Sequence, residues 1–371
     1  MTIYTVQKGD SLYLIGKKYG VTIEQLLNAN GHTLQPTLII GQAVIIPTAE
    51  KDKKKKIING YAYPNISRGA LLTALPYFSN ISPFSYGVTQ DGGLLPLADE
   101  DIISISAGAG VTPFLVVTTL NEEGVFNSQR ASDMLSNEHL ANTLIDNILQ
   151  KLESRDYFGV DVDFEYIPPQ NKTAYAEFIK KLREKISPYG YKTAVSLAPK
   201  TSASQRGLLY ESHDYKALGN AADYTFIMTY EWGYTYGPPM AIAPIDKVRE
   251  VIEYAVTEID SDKIILGVPN YAYDWQRPYV QGQKAESMSN NEAVERARRV
   301  GAEILFDSQA MTPYYTYFED NKDHIVWFED ARSAKARMEL INEFSLAGLS
   351  VWNVMSAYKP IYTTINSYFY R

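Results

Sequence analysis

Downstream of residue 56 the chain carries eight short apolar runs with strand-like character: Ile57 to Tyr63, Pro83 to Val88, Pro113 to Thr118, Phe158 to Glu165, Thr193 to Ala198, Tyr224 to Tyr230, Lys263 to Pro269 and Leu349 to Asn353. Segments with helical spacing of apolar residues lie between several of them, most clearly His139 to Ser154, Lys172 to Ile186 and Ile245 to Glu258. Strands that alternate with helices specify a parallel sheet of the α/β class. Eight such repeats over residues 57–371 are expected to close into a (β/α)8 barrel. The gap between the seventh and eighth runs is too long for one helix and holds Tyr314-Tyr315-Thr316-Tyr317 and His324-Ile325-Val326-Trp327-Phe328. An inserted α+β lobe is expected there, at about residues 271–330.

Composition narrows the partners. The 371 residues carry a formal charge of -8, which argues against nucleic acid, because phosphate binding depends on clustered Lys and Arg. With no cysteine, disulfides, thiolate metal sites and a cysteine nucleophile are excluded. No apolar run approaches the roughly 20 residues that span a bilayer, so no membrane span is expected. Met1 leads directly into Tyr4-Thr5-Val6-Gln7-Lys8-Gly9-Asp10, without the basic and apolar regions of a signal peptide. The expectation is a chain that needs no classical export, or one whose leader was trimmed.

Residues 1–48 are organised differently. Tyr4-Thr5-Val6 reads as a strand, Gly9-Asp10 as a turn, and Leu12, Ile15, Gly16 and Tyr19 as a helical stripe. Thr22-Ile23-Glu24-Gln25 fits a capping box at a second helix, and Gly41-Gln42-Ala43-Val44-Ile45-Ile46-Pro47 returns as a strand. A small βααβ unit results, joined to the barrel through residues 49–56, a linker ending in Lys51-Asp52-Lys53-Lys54-Lys55-Lys56. Through its opening run, Asn28-Ala29-Asn30 and the closing strand, this unit resembles a LysM domain. The resemblance implies binding of N-acetylglucosamine-containing glycans in a shallow groove between residues 9–13 and 30–39. Asp10, Ser11, Leu12, Leu38 and Ile39 are the candidates; the alternative is that Asp10 or Ser11 caps the helix and Leu12 is core.

Within the fourth barrel run, Asp161, Asp163 and Glu165 alternate with Val160, Val162 and Phe164. On a strand, the period of two sends all three carboxyls to one face. Crowded acids push their pKa values apart, so at least one carboxyl can stay protonated at neutral pH and serve as an acid. Catalytic groups of such barrels sit at the C-terminal ends of the strands. Glu165, read as the last residue of its strand, is expected at the mouth, with Asp163 below it and Asp161 deepest. A buried polar network without catalytic role is the alternative, at a desolvation cost of several kcal/mol.

The run resembles the Asp-x-x-Asp-x-Asp-x-Glu signature of family 18 glycoside hydrolases, with Phe158 where the first Asp is expected. Further matches are Gly60-Tyr61, Ala222-Asp223-Tyr224, Met228-Thr229-Tyr230-Glu231, Leu266-Gly267-Val268-Pro269 and Gly348-Leu349-Ser350-Val351-Trp352. The resemblance implies a TIM barrel and substrate-assisted retaining hydrolysis, an exception to the two-carboxylate scheme. Glu165 would protonate the glycosidic oxygen while the substrate's 2-acetamido oxygen attacks the anomeric carbon. Asp163 would orient the acetamido N–H, and Asp161 would share a proton with Asp163. Tyr230 suits a hydroxyl donor to the acetamido oxygen, and Trp352 an apolar floor beneath the sugar. Core packing is the alternative for both. Met228, Asn270 and Tyr271 are further candidates for the cleft, as is Glu231, which stands where the family often has Asp.

The four histidines, His32, His139, His213 and His324, show no metal-ligand spacing, so neither metal nor cofactor is expected. A LysM unit joined to this barrel, with Asn59-Gly60-Tyr61-Ala62-Tyr63-Pro64 on strand one, resembles the spore cortex-lytic enzymes more than chitinases. The expected function is therefore a peptidoglycan-directed N-acetylglucosaminidase of the spore coat and cortex region, cleaving β-1,4 bonds after N-acetylglucosamine. Chitinase activity, or a catalytically silent glycan-binding coat protein, are the alternatives.

Overall fold

The computed structural model describes residues 1–48 and 53–371. Eight parallel strands form the centre: Ile57–Ala62, Asn80–Pro83, Thr112–Thr118, Gly159–Asp163, Lys192–Leu197, Tyr224–Ile227, Ile264–Pro269 and Gly348–Trp352. Each pairs with its neighbours in sequence, and strand eight pairs back onto strand one, so the barrel is closed. Helices cover the outside. In Lys172–Ile186, for example, Tyr175, Phe178, Ile179, Leu182 and Ile186 form one buried stripe. Burial of such side chains contributes about 1.5–3 kcal/mol each.

Strand two differs from expectation. The ladder uses Asn80–Pro83, and the anticipated run from Pro83 to Val88 supplies only a two-residue extension, Tyr86–Gly87, against the far end of strand three. Polar residues explain the misreading. Ser82 Oγ donates to Asn59 Oδ1, and Asn59 Nδ2 donates to Ser350 Oγ, so a buried polar layer replaces the apolar side chains that signal a strand. Strand four ends at Asp163, two residues before the expected Glu165.

Between strands seven and eight lies an antiparallel sheet of Ala272–Arg277, Glu286–Met288, Leu305–Asp307, Thr312–Glu319 and Lys322–Trp327, with the helix Asn290–Val300 beside it. Its tightest hairpin turns at Asp320-Asn321, both at positive φ, as a two-residue turn compatible with strand twist requires. The lobe stands over the strand-seven and strand-eight side of the barrel.

At the N-terminus, Thr2–Thr5 pairs antiparallel with Ala43–Ile46, and the helices Leu12–Tyr19 and Ile23–Asn30 lie between them in sequence. The capping box forms: Thr22 accepts from the Gln25 amide while Gln25 accepts from the Thr22 amide. This unit is docked on the barrel. Arg298 donates to the carbonyls of Thr33 and Thr37, the Ile304 amide donates to Ile40, and Thr363 donates to Ala29. At Gly41, with φ of +83°, a Cβ would overlap the Ile304 carbonyl, so only glycine permits the approach. Of the expected linker, residues 49–52 lie outside the described residues. Lys54–Lys55 pairs in parallel with Phe369–Tyr370, so this part of the lysine run is a strand partner rather than a free connection.

Candidate active site

The C-terminal ends of the strands open into a cleft of about 1430 Å³, lined by Asp163, Glu165, Met228, Tyr230, Glu231 and Trp352 among others. Asp161 and Asp163 project from strand four as the period of two demands, and both are buried, at 0% and 5% exposure. Asp161 accepts from the Tyr61 hydroxyl at 2.6 Å and from Ser196 Oγ at 3.1 Å. Burial nevertheless pushes its pKa up to about 7, against the lowering effect of those two donors. Asp163 is raised well above the usual carboxylate range by burial, then by the charges of Glu165 and Asp161. Its Oδ1 has no hydrogen-bond partner among the described residues, which leaves a buried acceptor on a residue that lines the cleft.

Glu165 lies past the strand end, half-buried at the mouth, and is pushed up to about 7 by burial and by the nearby Glu231. A carboxyl so poised is protonated for a substantial fraction of molecules at neutral pH, which suits a general acid. The residue after it, Tyr166, has φ of 55°, and Glu231 has φ of 68°. Non-glycine residues in the left-handed region cluster at functional sites, where surrounding contacts hold them.

Glu231 accepts hydrogen bonds from the Tyr271 and Tyr273 hydroxyls. Tyr271 thus acts behind Glu231 rather than on the cleft wall. Asn270 is also displaced from its expected place. It is 3% exposed; its backbone amide donates to the Trp352 carbonyl, and its side chain donates to the carbonyls of Asn353 and Ser356. It holds the end of strand eight. Trp352 itself is half-buried on the cleft floor, met edge-on by Tyr61, Tyr63 and Phe84 at centroid distances of 5.3, 5.8 and 4.8 Å. Phe158 packs on Phe114 at the opposite end of strand four, far down the barrel from Glu165.

Tyr61, Ser196 and Tyr63 were not singled out as site residues from the sequence. For two of them a signal was available: Tyr61 and Ser196 are polar groups in register with inward-facing positions of their strands.

In the N-terminal unit the candidates divide. Leu12 is core, at 6% exposure, and Ile39 is buried against the barrel side of the interface, so neither side chain is free for a glycan. Ser11 caps the first helix through the Leu14 amide, and Asp10 accepts from Tyr4 and Gln7. Leu38 is half-buried against the unit's own core. Among the described residues, no group of His, Asp and Glu is arranged to hold a metal ion, and no helix is long and apolar enough to cross a membrane.

Residues 124–357 match the glycosyl hydrolases family 18, and residues 4–47 match the LysM domain. The chain belongs to glycosyl hydrolase family 18 and is a glycoside hydrolase with a LysM domain at its N-terminal side. It is 36% identical to the cortical fragment-lytic enzyme of Bacillus anthracis, over 95% of this chain and 94% of that protein. Identity to the cortical fragment-lytic enzyme of Bacillus subtilis (strain 168) is 34%, over 95% of each. The crystal structure of the spore cortex-lytic enzyme SleL of Bacillus megaterium QM B1551 superposes with a TM-score of 0.83 at 34% identity, covering 100% of this chain and 86% of that one.

Proposed function

We propose that this glycoside hydrolase cleaves the β-1,4 bond after N-acetylglucosamine in spore cortex peptidoglycan, by substrate-assisted catalysis with retention of configuration. The observation that carries the reading is the line of carboxyls formed by Asp161 and Asp163 on strand four and Glu165 just past its end, with Glu165 held up to a pKa of about 7 at the mouth of the cleft. An N-acetylglucosamine ring resting on Trp352 would present its glycosidic oxygen to Glu165, which donates the proton. The acetamido oxygen attacks the anomeric carbon, the glycosidic bond breaks, and an oxazolinium ion forms. Asp163, whose Oδ1 is without a partner among the described residues, would accept the acetamido N–H and offset the developing positive charge. Tyr230 would donate to the acetamido oxygen. Glu165, now a carboxylate, takes a proton from water as it opens the oxazolinium ion, restoring the acid.

Cortex as the substrate is supported by the names and coverage of the relatives, and action at the spore coat and cortex follows from that substrate. The LysM domain would hold the enzyme on the same polymer through residues around Asp10 and Leu38. The test pairs cortex fragments with chitin oligomers under identical conditions. Release from cortex fragments is expected; release from chitin alone would overturn the substrate. Glu165→Gln is expected to lower turnover about 10²–10⁴-fold, the usual contribution of a positioned proton donor. Unchanged turnover in that variant would remove Glu165 from the mechanism. A substrate whose 2-acetamido group has been de-acetylated to a free amine should resist cleavage, because it lacks the internal nucleophile; efficient cleavage of it would overturn the substrate-assisted mechanism.

A further inference from the structure

We propose that His213 is a positioning residue for Glu165, an imidazole spacer inserted between the splayed ends of barrel strands four and five. The ladder between these strands ends at the pair Val162 and Val195. Beyond it the chains part to open the cleft, leaving the Phe164 carbonyl and the Ala198 amide without ladder partners. The His213 ring bridges them. Its Nδ1 lies 2.7 Å from the Ala198 nitrogen and its Nε2 lies 3.1 Å from the Phe164 oxygen.

These two partners assign the proton. An amide N–H can only donate, so Nδ1 accepts; a carbonyl can only accept, so Nε2 carries the hydrogen. The ring is therefore neutral, at 1% exposure, and burial holds its pKa down to about 4 with the facing Lys200 ammonium adding to the effect. Protonation at Nδ1 would expel the Ala198 bond.

The Phe164 carbonyl belongs to the peptide unit that enters Glu165, so the plane that His213 holds sets the direction in which the Glu165 side chain leaves the backbone. Neighbours reinforce the plane. Phe164 stacks on Tyr175 and Phe178 at 5.9 and 5.8 Å, and Ser212 Oγ donates to the carbonyls of Ile167 and Pro168, just past Tyr166. On the other side, the Tyr215 hydroxyl donates to the Ala198 carbonyl and accepts from the Lys200 amide, while Lys200 Nζ donates to the His213 carbonyl. The segment from Ser212 to Tyr215 is thus a peg that satisfies the backbone of both strand ends. Displacing a reacting group by about 1 Å can cost about 10²-fold in rate, so the peg acts on kcat.

This inference rests on Glu165 being the proton donor. Its test compares His213→Gln, whose amide can accept from Ala198 and donate to Phe164, with His213→Leu, which fills similar space and does neither. On soluble cortex fragments, His213→Leu should lower kcat about 10–100-fold with KM changed little, and move the alkaline limb of the pH profile. His213→Gln should recover most of kcat. Ser212→Ala, a milder change that removes only the donor to Ile167 and Pro168, should lower kcat several-fold and likewise spare KM; it serves if His213→Leu does not fold. Full activity in His213→Leu, or equal loss of kcat in the Leu and Gln variants with the pH profile unmoved, would overturn the positioning role. An active Glu165→Gln enzyme would instead overturn the proton-donor reading on which it stands.

Discussion

The Tyr61 hydroxyl, from barrel strand one, reaches across the barrel to donate a 2.6 Å hydrogen bond to Asp161 on strand four. No strand-to-strand ladder joins those two elements, so the bond ties opposite walls of the barrel beneath the cleft. Tyr61 also meets Trp352 edge-on, and one side chain therefore contacts both the tryptophan on the cleft floor and the carboxyl below Asp163.

Tyr61→Phe keeps the ring packing and removes only the donor. The hydrogen bond favours the carboxylate, so its loss raises the Asp161 pKa further and leaves Ser196 as the remaining side-chain donor. A proton retained on Asp161 weakens the negative field available to the developing positive charge. The expected result is a fall in kcat of about tenfold, equivalent to about 1.4 kcal/mol, with KM nearly unchanged. Steady-state kinetics on soluble fragments decide it; an unchanged kcat would make the bond purely structural.

The pH dependence follows from Glu165. Burial and the Glu231 charge push it up to about 7, and only the protonated form can donate. Cleavage should therefore fall as pH rises through about 7. In Glu231→Gln the negative neighbour is gone, so the Glu165 pKa drops and the falling limb moves to lower pH. Initial rates between about pH 5 and pH 9 read the limb directly. A limb that stays in place would mean that burial alone sets the Glu165 pKa.

Docking of the LysM domain depends on Arg298, which is mostly buried and donates to two of its carbonyls. Arg298→Ala leaves these acceptors without their partner and should weaken the interface by about 1–3 kcal/mol. The amide of Ile304, bonded to Ile40 across the same interface, reports the change. Faster hydrogen exchange at Ile304 is expected, while kcat on short soluble fragments stays unchanged. Unaltered exchange would show that the Ile304 and Thr363 contacts hold the domain without Arg298.

Periodicity made much of this legible. The alternation around Asp161 placed the acids on one face because a strand has no other choice, and the capping box at Thr22 marked a helix start to the residue. What periodicity could not convey was reach across sequence. Asn270 follows strand seven and so reads as cleft lining, but the inserted lobe covers it through Asn290, and its side-chain amide is consumed by Asn353 and Ser356. Ile39 looked like a groove residue until docking against the barrel buried it. Strand two was shifted because Asn80 and Ser82 carry polar side chains satisfied inside the barrel, where local apolarity gives no signal. His213, a lone histidine without ligand spacing, offers no local pattern at all; its meaning lies in two backbone groups just past the ends of strands four and five.

The same burial that raises the Glu165 pKa should cost stability at alkaline pH. Its pKa is about 7 in the folded protein against an ordinary value of 4.5, so the native state binds more protons than the unfolded chain between those limits. Stability contributed by the protonated group is complete below about 4.5 and is lost as pH rises through about 7. At pH 8 the charged carboxylate then destabilises the fold by up to roughly 3 kcal/mol, less whatever solvent at the cleft mouth screens. Glutamine is isosteric and cannot ionise. Glu165→Gln should therefore unfold at higher denaturant concentration than the parent at pH 8, and at nearly the same concentration at pH 4, where Glu165 is mostly protonated in both states. His213, with its lowered pKa, loses its contribution as pH falls from about 6.5 towards 4, but equally in both proteins, so it cancels in the difference. Urea titrations at the two pH values measure it. An equal or lower midpoint for the variant at pH 8 would mean that the charged form is better accommodated than its surroundings imply, and that Glu165 is not strained toward donating its proton.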